Sequence, residues 1–328
     1  MNIFLTFDYE LFFGEVTGSV ESCMIDPTNN LLEISKKHSV PMTFFVDVGY
    51  LLRLETESEK HSILKSDLAK VKSQIAEMIS CGCAVQLHIH PHWERSYYNG
   101  ERWVIQTDDC YKLDDFQDDE IEDIVTIYKT YLENLTGKIV HTFRAGGWCI
   151  QPFSRLKSVF KKNGIKFDTS VFPGGHFESK HYYFDFRTTP NKSNYRFEED
   201  VCIENENGFF TEYPISSLRY SPLFYWRLYI LGRLFPNQHK MVGNGIFLSQ
   251  PGRKKAVLTN FTWNHVSSDG FYSTKLNKSL NTLIANKYTE MVTIGHPKSN
   301  TLFSVSKLEQ FVKKNKNKHT FMSFKDLP

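Results

Sequence analysis

The segment Ala84-Val85-Gln86-Leu87-His88-Ile89-His90-Pro91-His92-Trp93 decides the fold, because its short apolar run ends in three histidines within five residues. The run predicts a buried β-strand over about residues 84–88. Imidazole is the commonest metal ligand among protein side chains, so the cluster after this strand indicates a metal site. The alternative is a histidine-rich surface loop, which we disfavour because three imidazoles beside a buried strand need polar partners.

The spacing of the three histidines allows two different pairs of metal ligands. His88 and His92 are four residues apart and can converge across a turn after the strand. His88 and His90 are two residues apart and share one face if the strand continues. The spacing alone leaves both pairs open.

Strands and helices alternate outward from this segment in both directions. Strands are predicted at residues 2–7, 42–48, 84–88, 138–143, 165–171, 256–263, 290–294 and 319–324. Helices are predicted to begin at Asp26 and to span residues 67–79, 118–135, 152–163, 274–286 and 306–314. The alternation predicts an α/β fold in which about seven parallel strands form a distorted (β/α) barrel.

Two segments interrupt the alternation and are predicted as insertions into a single domain that spans residues 1–328. Residues 93–116 form a long aromatic and acidic loop, and residues 172–255 form a larger insertion rich in Pro, Gly, Asn and aromatic side chains. Within the second insertion, we expect the apolar residues 220–235 to form a helix that covers the barrel or makes an oligomer contact. A peripheral helix on a membrane surface is the less favoured alternative.

The composition excludes several classes of protein. A formal net charge of +2 is too near zero to indicate a nucleic-acid partner. The six cysteines are scattered without a paired metal-binding spacing, which is typical of free thiols. The sequence shows neither a secretory leader nor a run of about eighteen apolar residues, so we expect a cytoplasmic protein that is not integral to a membrane.

Charged side chains collect where the predicted strands end. Asp8 and Glu10 follow the first strand, Arg144 follows the fourth, and His296 follows the strand at residues 290–294. In an α/β barrel the carboxyl ends of all strands lie on one face, so these side chains and the histidines are expected to surround one cavity. A carboxylate with two histidines suits a divalent metal, zinc first and other transition metals as alternatives. Such a site is typical of amide or ester hydrolysis.

Five motifs resemble those of the polysaccharide deacetylase (NodB-homology) family, in the same order. They are Thr6-Phe7-Asp8, His88-Ile89-His90-Pro91-His92, Phe143-Arg144-Ala145-Gly146-Gly147, Phe167-Asp168-Thr169-Ser170 and Ile294-Gly295-His296. The resemblance covers residues 1–171 and 256–324. It implies a distorted barrel and a metal-dependent removal of N- or O-linked acetyl groups from a sugar or oligosaccharide.

The resemblance also implies roles for individual residues. Asp8 is similar to the general base of the family, and His296 is similar to its general acid. His88 and His92 match the pair of metal-binding histidines. Arg144 matches the arginine that orients the base.

This sequence departs from the family pattern in its first two motifs. The family has two adjacent aspartates, of which the second binds metal, whereas here Tyr9 follows Asp8. We therefore assign Glu10 to the metal, with Asp8 as the alternative ligand. Because His90 is additional to the family pattern, it is the alternative histidine ligand. These departures resemble a divergent branch associated with the synthesis of bacterial surface polysaccharides.

Three further predictions concern residues around the cavity. Asp168 either orients His296, as the family pattern implies, or bonds to the backbone at the strand end. Backbone N–H groups around Gly147 are placed to face a developing oxyanion, and Trp148 and Trp93 are candidates for stacking on a sugar ring.

Two rival functions remain open. One is another barrel-type metal-dependent amidohydrolase, which predicts additional ligands and two metals. The other is a catalytically inactive relative that binds glycans.

Overall fold

A nine-stranded β-sheet is the frame of the protein. The computed structural model describes residues 1–248, 250 and 252–327. The strands are β1 (Asn2–Tyr9), β2 (Thr43–Asp47), β3 (Ala84–Ile89), β4 (Tyr97–Tyr98), β5 (Trp103–Val104), β6 (Thr142–Ala145), β7 (Phe167–Asp168), β8 (His176–Glu178), β9 (Tyr183–Asp185), β10 (Tyr195–Phe197), β11 (Phe210–Glu212), β12 (Ser217–Tyr220), β13 (Thr262–His265), β14 (Glu290–Thr293) and β15 (Thr320–Met322).

Ten α-helices are found among the described residues. They are α1 (Asp26–His38), α2 (Val48–Lys60), α3 (Leu64–Ser80), α4 (Asp118–Thr136), α5 (Lys157–Lys162), α6 (Pro222–Leu234), α7 (Pro236–His239), α8 (Arg253–Thr259), α9 (Leu276–Ala285) and α10 (Leu302–Asn315). No helix in the described part of the chain is long and apolar enough to cross a membrane.

The strand order of the sheet is β10-β11-β7-β6-β3-β2-β1-β14, and β15 also pairs with β1. Eight strands run parallel, and only β10 runs antiparallel to its neighbour β11. Beyond the strands, the N–H of Ile215 donates to Val171 O (2.8 Å) and the N–H of Ser216 to Val292 O (2.9 Å), which links the two ends of the curled sheet. The predicted distorted (β/α) barrel is confirmed, with eight parallel strands where about seven were predicted.

The central strands are buried on both faces. Every residue of β2 and β3 is buried, as is every residue of β1 after Asn2. Parallel strands covered by helices on both sides are expected to be continuously apolar, which explains why these three strands were visible in the sequence. The polar residues that occur in them are concentrated near the carboxyl ends.

One predicted strand is wrong. Residues 256–263 were predicted as a strand, whereas residues 253–259 form helix α8 and the strand is β13, Thr262–His265. The helix starts after Gly252, whose φ of 81° lies in the left-handed region. An apolar run as short as Ala256-Val257-Leu258 shows no periodicity that distinguishes a helix from a strand. Tertiary contacts therefore determine which of the two forms.

The two segments predicted as insertions contain several short elements. Residues 93–116 hold the antiparallel pair β4–β5. Residues 172–255 hold the pair β8–β9 as well as β10 and β11, which join the edge of the main sheet. These strands have two or three residues each, too few to show an alternating pattern in the sequence.

Two buried carboxyl groups face each other where β7 pairs with β11. Asp168 and Glu212 occupy paired register positions, and both side chains are inaccessible to solvent. Burial, together with the charge of Asp168 and a hydrogen bond to it, raises the pKa of Glu212 well above its usual range. Burial likewise raises the pKa of Asp168. Burial of the pair therefore favours one proton shared between the two carboxyl groups.

This pair predicts a specific pH dependence of stability. Because the folded-state pKa of Glu212 is raised, the contribution of this residue to the free energy of unfolding is largest below its unfolded-state pKa of about 4.3. That contribution is lost as the pH rises towards the folded-state pKa. Glu212→Gln stays neutral and can still donate to Asp168. We expect the free energy of unfolding of this variant to exceed that of the parent increasingly with pH, by at most about 1.4 kcal/mol per pH unit.

Urea denaturation between pH 4 and pH 8 measures this difference. Glu206→Gln, in an exposed turn, is the matched control and should follow the parent at every pH. Parallel curves for Glu212→Gln and the parent would contradict the shared proton.

Candidate functional site

Arg144 anchors the site from the end of β6 and is completely buried. Its Nη1 donates to Asp8 Oδ1 (2.7 Å), its Nη2 to Thr6 Oγ1 (2.8 Å) and its Nε to Thr169 O (3.0 Å). The guanidinium carbon also lies 4.1 Å from the centre of the Phe45 ring. Asp8 is thereby held in one orientation by an ion pair that uses only Oδ1, which leaves Oδ2 available for another group.

Glu10, His88 and His90 form a compact cluster beside this ion pair. One ligand atom from each lies within 4.8 Å of the other two, and all three residues are buried. Glu10 Oε2 is 3.1 Å from His88 Nε2 and 2.7 Å from His90 Nε2. This is the one such group among residues 1–248, 250 and 252–327.

His90, and not His92, joins His88 because the backbone stays extended after β3. His90 has φ −109° and ψ 95°, so strand alternation points its side chain to the same face as that of His88. A 3₁₀ turn, Pro91–Glu94, then begins and turns His92 away. His92 Nδ1 lies 3.4 Å from Ser96 Oγ, and its Nε2 has no hydrogen-bond partner. Of the two pairs that the sequence left open, the structure brings together His88 and His90.

The hydrogen bonds of His88 fit a metal ligand. Its Nδ1 lies 2.8 Å from Arg144 O, and because a carbonyl oxygen can only accept, Nδ1 carries a hydrogen. A neutral His88 therefore presents the lone pair of Nε2 to the carboxylate of Glu10 at 3.1 Å. Two electron-rich atoms at this distance need a cation or a proton between them. Two imidazole nitrogens and one carboxylate oxygen, with the other nitrogen of His88 already bonded to Arg144 O, form a donor set typical of a catalytic zinc site.

Lys298 is a second cation in the site, and the sequence analysis missed it. Its ammonium group is buried, donates to Glu10 Oε1 (2.8 Å) and also contacts Leu11 O. The same nitrogen lies 4.8 Å from the centres of the Phe12 and Phe13 rings. Glu10 therefore has one oxygen paired with Lys298 and the other directed at the histidines. No pattern in the sequence distinguishes this lysine from the many exposed ones.

The surroundings shift the pKa values of the residues in the cluster in different directions. Burial by itself would raise the pKa of Glu10, but Lys298 and the two histidines outweigh it and hold the pKa well below its usual range. Burial opposes the charged form of His88, but Asp8 and Glu10 raise its pKa to about 9. Burial lowers the pKa of His90 to about 4 and that of His92 well below 6.5. Glu10 is thus an anion with two positive partners, His88 on β3 and Lys298 in the segment after β14.

Asp269 holds His296, the role that the family pattern implies for Asp168. The Nδ1–H of His296 donates to Asp269 Oδ2 (2.8 Å), and the backbone N–H of His296 donates to Asp269 Oδ1 (2.8 Å). Asp168 instead accepts from the N–H and hydroxyl of Ser170, 2.9 and 2.8 Å away. This is the backbone-bonding alternative. Asp269 lies just after β13, so correct placement of that strand would have revealed it.

The ring of His296 faces the two carboxylates of β1 with its other nitrogen. Nε2 lies 3.7 Å from Asp8 Oδ2 and 3.9 Å from Glu10 Oε1. Burial opposes the charged form of His296, yet Asp269 outweighs it and raises the pKa. His296 is therefore oriented by Asp269 to present an Nε2–H group to the site.

A cavity of about 800 Å³ opens onto these residues. Asp8, Glu10 and His296 line it, and so do Gly147 and Trp148. Trp93 does not line it, because this side chain is 1% exposed and its Nε1–H donates to the buried Asp47. Of the three predicted substrate-binding residues, the structure places two at the cavity and Trp93 in the core.

The two glycines after Ala145 make room for the cluster. A Cβ on Gly146 would lie 2.5 Å from His90 Nδ1, so only glycine lets the imidazole pack there. Gly147 has φ 60° and a Cβ would lie 2.7 Å from Tyr111 Oη. The motif Arg144-Ala145-Gly146-Gly147 therefore combines the buried arginine with the space that His90 requires.

Comparisons with known proteins support the fold. A protein from Mycobacterium smegmatis assigned as a polysaccharide deacetylase matches with a TM-score of 0.51 and 15% identity, over 98% of this chain and 85% of that one. Puue allantoinase matches with a TM-score of 0.52 and 13% identity, over 99% and 88%. A 4-alpha-glucanotransferase from Thermococcus litoralis matches with a TM-score of 0.50 and 12% identity, over 99% of this chain and 39% of that one.

A scan against models of protein families and a search of curated proteins find no match to this sequence. The structural matches have low sequence identity and carry different activities, so they establish the shared fold and not the reaction. The family resemblance that the sequence motifs indicate is confirmed at the level of the fold.

The role of Lys298 gives a testable prediction for the metal-free protein. Lys298→Met leaves the buried carboxylate of Glu10 without its ammonium partner, so we expect the free energy of unfolding to fall by about 3–5 kcal/mol. A divalent cation and the ammonium group repel each other around the same carboxylate. Added zinc should therefore raise the melting temperature of the variant more than that of the parent.

Thermal unfolding with and without zinc, after treatment with a chelator, measures both effects. Lys313→Met, at an exposed position of helix α10, is the control and should behave as the parent. An equal zinc-induced shift in Lys298→Met and the parent would show that Lys298 and the metal do not share Glu10.

Proposed function

We propose that this protein is a metal-dependent hydrolase that removes an N- or O-linked acetyl group from a sugar or a polysaccharide precursor. The observation that carries the proposal is the Glu10, His88 and His90 cluster, placed between an aspartate fixed by arginine and a histidine fixed by aspartate. The geometry supports a single divalent metal, with zinc as the first expectation. The shared fold with a protein assigned as a polysaccharide deacetylase is consistent with it.

Glu10, His88 and His90 are the residues that would hold the metal. A bound divalent ion supplies Lewis acidity towards an acyl oxygen and towards water. Lys298 keeps the carboxylate of Glu10 ionised and aligned, and Arg144 O fixes the tautomer of His88 through Nδ1. The cluster is therefore preorganised by contacts from β6 and from the segment after β14.

The remaining side chains supply the proton transfers. Asp8 Oδ2, the oxygen that Arg144 leaves free, accepts a proton from the attacking water. The water oxygen forms a bond to the acyl carbon. His296 Nε2–H donates its proton to the departing nitrogen or oxygen of the sugar as the bond to the acyl carbon breaks. The products are acetate and the free amine or hydroxyl, and the protons balance.

The cavity supports a small glycan as the substrate. A volume of about 800 Å³ lies within the range of sites for small ligands. Trp148 lies at the cavity and provides an aromatic surface beside the reacting groups. A precursor or short oligosaccharide fits this description better than a long polymer.

The two rival functions predict different observations. A barrel-type amidohydrolase with two metals requires more ligands than the one group found in the described part of the chain. An inactive glycan-binding relative predicts neither acetate release nor a metal dependence of the chemistry. Metal content and acetate release from a panel of acetylated sugars therefore separate all three.

The choice of histidine ligand gives the first prediction that tests the proposed function. We expect one divalent ion per chain in the parent. His90→Ala should weaken zinc binding by more than the roughly 10–100-fold that loss of an outer partner causes, and should abolish acetate release. His92→Ala, which changes an equally buried imidazole two residues away, is the matched control and should retain the metal.

Elemental analysis and competition with a chromogenic chelator give the stoichiometry and affinity. The reverse result, with metal lost in His92→Ala and kept in His90→Ala, would restore the His88 and His92 pair. A metal-free parent that is fully active would overturn the proposed chemistry.

The positioning of His296 gives the second prediction. Asp269→Asn should lower kcat by about 10–100-fold, as expected when an outer hydrogen-bond partner is lost, with little change in KM. His296→Ala should lower kcat by about 10²–10⁴-fold, because it removes the acid itself. Asp168→Asn is the comparison and should alter the free energy of unfolding with little effect on kcat. Steady-state acetate release tests all three variants, and equal losses in Asp269→Asn and Asp168→Asn would contradict the assignment.

A further inference from the structure

Helix α6 carries apolar side chains on two opposite faces. Tyr225, Leu228, Tyr229 and Gly232 line the cavity on the inner face. The outer face presents large apolar side chains at helical spacing, each of them about half exposed or more. They are Leu223 (59%), Trp226 (51%), Ile230 (47%) and Leu234 (68%). A helix that is apolar all round normally has both faces covered, whereas the described residues of this chain leave the outer stripe about half exposed or more.

Other exposed apolar side chains lie in the same segment of the chain as this stripe. Twenty large hydrophobic residues are exposed in the described part of the chain, and ten of them lie between residues 223 and 263. The six outside the stripe are Phe235, Val242, Ile246, Phe247, Phe261 and Trp263. Scattered exposed hydrophobics need no explanation, but half of them in about an eighth of the chain mark a surface that binds something.

The same segment carries positive charge with nothing to balance it. Residues 213–268 contain seven Lys or Arg and no Asp or Glu, although the whole chain has 37 acidic residues and a net charge of only +2. The basic residues are Arg219, Arg227, Arg233, Lys240, Arg253, Lys254 and Lys255. All but Arg253 are exposed. Burial and the neighbouring charges of Lys278 and Arg227 lower the pKa of Lys275, as expected where cations lack counter-charges.

We infer that this face, called here the α6 surface, binds an anionic phospholipid membrane. It comprises the exposed apolar stripe Leu223, Trp226, Ile230 and Leu234 and the exposed basic residues that do not line the cavity, which are Arg219, Arg227, Lys240 and Lys255. Apolar side chains on one helix face, flanked by Lys and Arg and with tryptophan present, match the chemistry of the headgroup layer. Anionic lipids supply the negative charge that residues 213–268 lack.

A second copy of this chain fits the α6 surface less well. Symmetric pairing would bring two sets of cations together with no acidic residue in the segment to offset them. A neutral glycan would leave the charges unpartnered. The inference does not depend on the proposed reaction, because it uses the outer face of α6 and not the cavity.

Binding of the full chain to lipid vesicles tests the inference. The protein should co-sediment with phosphatidylcholine vesicles that contain phosphatidylserine and not with phosphatidylcholine alone, and added salt should weaken the binding. Ile230→Ser with Leu234→Ser should abolish sedimentation. Ile127→Ser with Ile139→Ser changes two equally exposed isoleucines elsewhere and should leave it intact.

The contribution of charge is measured separately. Arg227→Gln with Lys240→Gln and Lys255→Gln removes three exposed cations that do not line the cavity. It should reduce the affinity for the anionic vesicles on the order of 100-fold. The same change at Lys313, Lys314 and Lys318 is the control and should have no comparable effect.

Three results would overturn the inference. One is a parent that does not bind the anionic vesicles, and another is equal binding by all the variants. The third is light scattering that shows a dimer of the parent which Ile230→Ser with Leu234→Ser dissociates, because the α6 surface would then be a contact between copies. Circular dichroism and thermal unfolding establish that each variant is folded, and metal content and acetate release, measured alongside, report on the reaction independently.

Discussion

The buried ion pair between Arg144 and Asp8 is the contact on which the rest of the site depends. The two residues belong to β6 and β1, which are separated in the sheet by β3 and β2, so the pair can form only across the interior of a curled sheet. A buried guanidinium without its partner is strongly destabilising, because the charge remains desolvated. The ion pair therefore couples the curvature of the barrel to the orientation of the aspartate, and any change that flattens the sheet disturbs both.

Strand alternation explains how Asp8-Tyr9-Glu10, which departs from the family pattern, still directs two carboxylates into the site. Asp8 and Glu10 point to the same side of the chain, whereas Tyr9 between them points to the other side, where its hydroxyl donates to Gln74 (2.7 Å). A second carboxylate adjacent to Asp8 would point away from the cavity if the strand geometry is kept. Placing it two residues on brings it to the histidines, and Lys298 then balances its second oxygen.

The segment around α6 has two chemically different sides. Its inner residues complete the cavity wall, and its outer residues are apolar and basic. The near-neutral charge of the whole chain conceals this, because the acidic residues all lie outside residues 213–268. Net charge is informative about partners only when it is also evaluated locally. This segment lacks the regular alternation of the barrel, and the apolar run of its helix α8 is too short to distinguish a helix from a strand.

The sequence alone determined the architecture and the positions of five polar groups, Asp8, Glu10, His88, Arg144 and His296. Strand periodicity is local, and the carboxyl ends of parallel strands lie on one face in any fold of this class, so these groups could be placed near one another without coordinates. Tertiary structure decided three things: that His90 joins the cluster instead of His92, that Asp269 instead of Asp168 holds His296, and that Lys298 reaches Glu10. Each depends on where the backbone turns after a strand ends, and that direction is set by packing between segments far apart in the chain.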